Sequence, residues 1–85
     1  MTPDEITRHI AQALADVAPE ADLGGVDPAR PLRAQLDLDS MDFLRVVQGI
    51  HRLTGVEIPE ADYPRIATLN ALVAYLVAGT VRAPG

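Results

Sequence analysis

The sequence predicts an all-α fold, a small helical bundle, on three observations. The apolar content of the 85-residue chain comes mainly from Leu, Val, Ile and Ala, and aromatic residues make up only 4%. Three runs place apolar residues at helical spacing. Helix start and stop signals bracket those runs. A core this small is marginal, and with no cysteine it has no covalent staple. Packed aliphatic side chains must therefore hold it.

The first helix is expected over about residues 3–18. Thr2 is a capping residue, Pro3 suits the first helical position, and Glu5 completes a capping box. Ile6, Ile10, Leu14 and Val17 then share one face, and Pro19 lies past the last turn. Residues 19–38 hold two glycines and three prolines and read as a loop that is long for so small a domain. Leu23, Val26, Leu32, Leu36 and Leu38 recur through it and are expected to pin it over the helices, with a short helical turn near residues 28–35. The second helix starts at Asp39 or Ser40 and stops before Gly55. Its core arc, at about 100° per residue, is Phe43, Val46, Val47, Ile50 and Leu53. Met41, Leu44 and Gln48 point largely the other way, with Arg45 and Arg52. Ile58-Pro59 reads as extended. Residues 60–65 have room for about a turn and a half of helix, cut by Pro64. Thr68 caps a last helix over about 69–78, with Leu69, Leu72, Val73 and Leu76 on its apolar face. The tail, about 79–85, is expected to fray. The whole reads as one domain over residues 1–85, with no internal repeat.

The formal net charge is −5, which argues against a nucleic-acid binder and favours partners with basic surfaces. All seven basic residues other than histidine are arginine, for which there is no functional account. The start, MTPDEITRHIAQ, mixes charges with its apolar residues and is not a signal peptide. No apolar run approaches the roughly 20 residues that span a bilayer. The expectation is a cytoplasmic protein without membrane insertion.

The candidate functional residue is Ser40, set in Asp39-Ser40-Met41-Asp42 at the start of an amphipathic helix. The plain structural role is a helix start, with Asp39 as cap and Asp42 favourable to the helix dipole. A nucleophilic serine needs a nearby base and oxyanion donors. His51 lies three turns along the same helix, and His9 sits off the apolar stripe of the first helix. The flanking aspartates also oppose a developing negative charge. No catalytic set is expected. Asp37-x-Asp39 begins like a calcium loop, but residues 42 and 48 are Asp and Gln where an EF-hand needs Gly and Glu. No specific metal site is expected. Met41 and Leu44 form a small apolar patch off the core face, either covered by the loop or serving as a docking surface beside Ser40.

Leu36-Asp37-Leu38-Asp39-Ser40-Met41-Asp42 resembles the L-G-x-D-S-[LM]-D motif of the acyl carrier proteins, the phosphopantetheine-dependent carrier family. The fixed step to Val56-Glu57-Ile58-Pro59 and the run Ile66-Ala67-Thr68-Leu69 followed by Tyr75-Leu76 extend the likeness over nearly the whole chain. The resemblance implies a right-handed, antiparallel four-helix bundle with a short third helix and a long loop between the first two. It implies that Ser40 receives 4′-phosphopantetheine from coenzyme A through a phosphopantetheinyl transferase. The arm's thiol then holds acyl groups as thioesters for acyl-loading and acyl-processing enzymes of fatty-acid, specialised lipid or polyketide biosynthesis. The carrier itself is expected to be a monomer and not an enzyme. Asp39, Met41, Asp42, Leu44, Arg45 and Gln48 are the expected docking residues, with Glu60 and Asp62 after the helix. The competing reading is an unmodified helical interaction module of the same fold.

Two departures stand out. The family often has glycine where Asp37 stands, so the backbone path before Ser40 is expected to differ. Arg45, His51 and Arg52 interrupt a helix face that is usually acidic, which points to a dedicated carrier. Tyr63-Pro64 is expected to shape an acyl entrance.

Overall fold

A computed structural model describes residues 1–82. Its order is α1 (Pro3–Val17), α2 (Leu32–Leu36), α3 (Ser40–Thr54) and α4 (Leu69–Arg82), with short 3₁₀ segments at Leu23–Gly25 and Glu60–Ile66. The all-α expectation holds: extended pairing among the described residues is limited to one isolated bridge, Pro31 with Thr68.

Local chemistry sets the helix ends. The Thr2 hydroxyl accepts from the Glu5 amide at 3.2 Å, and the Glu5 carboxylate accepts from the Thr2 amide at 3.1 Å. The Thr2 amide, and then its hydroxyl, hold the Glu5 carboxyl below its ordinary value. Asp39 caps α3 in the same reciprocal way with Asp42. Gly55, at φ 75°, closes α3 in the left-handed conformation that glycine adopts without penalty. Thr68 caps α4, accepting from the Ala71 amide at 3.1 Å.

Ile6, Ile10 and Leu14 of α1, Phe43, Val46, Val47 and Ile50 of α3, and Leu72 and Leu76 of α4 meet in one core. Ile58 and Ile66 complete it from the connection before α4. The void among these side chains is about 10 Å³, about one water-sized probe, so the core is filled. Gly49 lets α3 approach α1: a methyl there would lie 3.1 Å from the Ala13 Cβ.

The long loop is fastened as expected. Leu32 and Leu38 are buried, and Leu23, Val26 and Leu36 pack against the core. The Gln35 side chain accepts from the Asp27 amide at 2.8 Å and donates to the Asp27 and Arg30 carbonyls at 2.9 and 3.1 Å. The loop also meets the start of α4, through Leu32 N–H to the Ala67 carbonyl and Asn70 N–H to the Pro28 carbonyl.

Three expectations need correction. Leu53 is not in the core but 36% exposed; α3's buried face instead includes Gly49 and Thr54. Pro64 does not cut the segment before α4, which runs as a 3₁₀ helix from Glu60 to Ile66 with Pro64 inside it. The last helix does not end at 78 but continues to Arg82, and Gly79 packs directly on Val56. Residues 79–82 of the expected tail are thus helical, and 83–85 lie outside the described residues.

Candidate functional site

Ser40 is the first residue of α3 and is exposed. The cap places it there: Asp39 is extended, at φ −80° and ψ 179°, and its carboxylate accepts from the Asp42 amide at 2.8 Å. Asp42 returns the contact to the Asp39 amide at 3.4 Å. The first amides of a helix have no partner within it. Among the described residues, those of Ser40 and Met41 meet no protein acceptor. The capping role of Asp39 is thus real, and Ser40 is left presented rather than used as a cap.

Three residues before Ser40 the chain turns sharply. Asp37 ends α2 in the left-handed conformation, φ 53° and ψ 45°. Glycine takes that conformation freely, and aspartate is among the few other residues that visit it. The turn carries the chain from α2 to the cap of α3 and sets Arg33 beside Ser40. The Arg33 Nη2 donates to Ser40 Oγ at 3.2 Å, and its Nε donates to the Leu38 carbonyl at 3.4 Å. Its guanidinium lies 5.7 Å from the centre of the Phe43 ring, within cation–π range. Phe43 in turn meets Tyr63 edge to face, with centroids 5.6 Å apart at 84°. Arg33, Ser40, Met41, Phe43, Leu44, Glu60 and Tyr63 line a cleft of about 300 Å³.

Met41 is 59% exposed, so the loop does not cover it, while Leu44 is half-buried. Arg45 and Gln48 are exposed further along α3 and share a separate depression with His51, Arg52 and Asp16. Glu60 reaches the Ser40 cleft. Asp62 does not: it accepts the Tyr75 hydroxyl at 2.7 Å and faces Arg65 at 3.8 Å, in a cleft lined also by Val56 and Gly79. The Asp62 carboxylate, and then burial, push the Tyr75 phenol above its ordinary value. Tyr63 borders the Ser40 cleft.

Arg33 escapes sequence reasoning. The one signal available is a cation seven residues before the serine, and that spacing gains meaning only through the turn at Asp37. No group of three or more His, Cys, Asp or Glu residues is placed to hold a metal among the described residues. None of the described helices is long and apolar enough to cross a membrane.

The family model described as phosphopantetheine attachment site matches residues 8–76. The acyl carrier protein of Rubrobacter xylanophilus is 30% identical over 77 residues, covering 91% of this chain and 94% of that one. That of Acidothermus cellulolyticus is 29% identical over 85 residues, 98% of each chain. That of Lactobacillus johnsonii is 29% identical over 76 residues, 89% of this chain and 94% of that one. The chain belongs to the acyl carrier proteins, the carrier family whose prosthetic group is phosphopantetheine.

Proposed function

We propose that Ser40 is the attachment point of 4′-phosphopantetheine and that the chain presents acyl groups from it to partner enzymes. The observation that carries this reading is the placement of Ser40. It is the single serine of the chain, exposed at the first residue of α3, with the flanking Asp39 and Asp42 carboxylates engaged in the cap.

The residues around it suit the group. A helix start tolerates a phosphodiester, because its free amides and dipole favour negative charge. The Arg33 guanidinium already touches Oγ. That partner cannot serve as a base, so the hydroxyl is suited to be modified by another enzyme rather than to attack a substrate unaided. When bound, the group supplies a terminal thiol on a flexible arm, where acyl groups are joined as thioesters.

The chain's own contribution is a surface. Exposed Met41 and half-buried Leu44 offer apolar contact beside Ser40, and Asp39, Asp42 and Glu60 offer negative charge to a basic phosphopantetheinyl transferase that draws on coenzyme A. Arg45, His51 and Arg52 place positive or titratable groups further along α3. A partner with a uniformly basic docking face would be repelled there, since like charges in juxtaposition are costly. We therefore read a dedicated carrier, monomeric and cytoplasmic, of a specialised lipid or polyketide pathway ahead of general fatty-acid synthesis. Asp62 contributes through Tyr75 and the shape of the segment before α4.

The test is modification by a broad-specificity phosphopantetheinyl transferase with coenzyme A. The chain gains one phosphopantetheine, and S40A does not.

A further inference from the structure

Arg33 lies outside the docking residues named above, yet it donates a hydrogen bond to Ser40 Oγ. We propose that Arg33 is a positioning residue that grips the phosphate of the group on Ser40 and lays the arm along the cleft toward Tyr63. This rests on the reading of Ser40 as the attachment point.

The guanidinium is held on three sides before any modification: by the Leu38 carbonyl, by the Phe43 ring and by Ser40 Oγ. Its position is therefore set by α2 and α3 and not by a ligand. Esterification turns Oγ into a bridging oxygen, a poorer acceptor, and puts two non-bridging oxygens that share one negative charge two bonds further out. A guanidinium 3.2 Å from Oγ is within reach of them, and its planar fork suits a phosphate. The local charge makes the contact matter. Asp39 and Asp42 flank the serine in the helix cap and Glu60 lines its cleft, and Arg33 is the cation set against them.

The direction follows from the same contacts. Arg33 sits over Phe43, and Phe43 abuts Tyr63. A phosphate held by Arg33 is thus drawn to the side of α3 that borders the cleft of Met41, Leu44, Glu60 and Tyr63. It is drawn away from the Arg45 and Arg52 depression. A lysine would keep the charge but lose the planar fork, and a glutamine would lose both.

The test compares the loaded wild type with loaded R33K and R33Q, each checked for complete modification by intact mass and for helicity by circular dichroism. In the wild type the phosphorus NMR signal is expected to move on adding salt. The arm's methyl groups are expected to show nuclear Overhauser contacts to Tyr63 or Leu44. In R33Q both signatures are lost, and in R33K the salt response persists while the contacts weaken. Full loading with the same phosphorus signal and the same contacts in all three proteins overturns the role of Arg33 and leaves Ser40 standing. Failure of every variant, wild type included, to gain mass overturns the Ser40 reading and the proposal together.

Discussion

The Tyr75 hydroxyl and the Asp62 carboxylate meet at 2.7 Å and join α4 to the 3₁₀ segment Glu60–Ile66. Asp62 accepts from the phenol and faces Arg65, whose guanidinium lies 6.0 Å from the Tyr75 ring centre. One side of the segment that carries Glu60 and Tyr63 to the Ser40 cleft is thereby clipped to the last helix.

Tyr75→Phe should cost about 1 kcal/mol at neutral pH, the worth of a partly exposed hydrogen bond, read as a lowered urea midpoint. The pH dependence has a definite sign. The phenol's value is raised in the folded state above the ordinary 10.0, so its contribution is whole below pH 10.0 and fades as pH rises through the folded value. The gap between wild type and Tyr75→Phe should therefore narrow in alkali. A gap that widens there contradicts the bond.

Gly79→Ala should destabilise the chain. In an ordinary helix position the change gains up to about 1 kcal/mol. Here the new methyl would fall 2.6 Å from one Val56 methyl and 3.1 Å from the other, and overpacking of this kind costs roughly 1–3 kcal/mol. The clash should win. Adding Val56→Ala should recover part of the loss, a coupling visible in a double-mutant cycle.

Asp39→Ala should cost about 1 kcal/mol through the lost cap of α3, while Asp39→Ser should keep most of the stability. Comparing transferase kinetics for these two variants separates the roles of Asp39. If its charge guides docking, the stable Asp39→Ser protein is modified more slowly than wild type. Equal rates for Asp39→Ser and wild type would confine Asp39 to the cap.

Reversing Arg45 and Arg52 to glutamate should weaken transfer with the chain's own partners and improve reading by enzymes that prefer an acidic helix. Both side chains are exposed, so thermal stability should change little. Unchanged transfer rates in both directions would remove the argument for a dedicated carrier.

What the sequence disclosed was governed by local rules. The starts at Thr2, Asp39 and Thr68, the stop at Gly55 and the core positions Phe43 to Ile50 all follow from capping chemistry and helical period. Ser40 stood out because a motif frames it. What stayed hidden depends on what lies opposite. Leu53 has the period of a core residue, but it stays 36% exposed. The last helix is expected to end near 78, but it runs on through Gly79, which serves the close approach of α4 to Val56. Pro64 reads as a break, yet the segment continues past it to Ile66. The contact of Arg33 with Ser40 depends on one left-handed residue, Asp37, which periodicity does not register.

The central claim is that Ser40 carries the phosphopantetheine, and the chain offers a direct measurement. Trypsin should release residues 34–45, bounded by Arg33 and Arg45, in which Ser40 is the one hydroxyl-bearing residue. After incubation with coenzyme A and a phosphopantetheinyl transferase, one phosphopantetheine should be added to the intact chain, carried by that peptide and absent from S40A. No gain with several transferases, or a gain that survives in S40A, would contradict it.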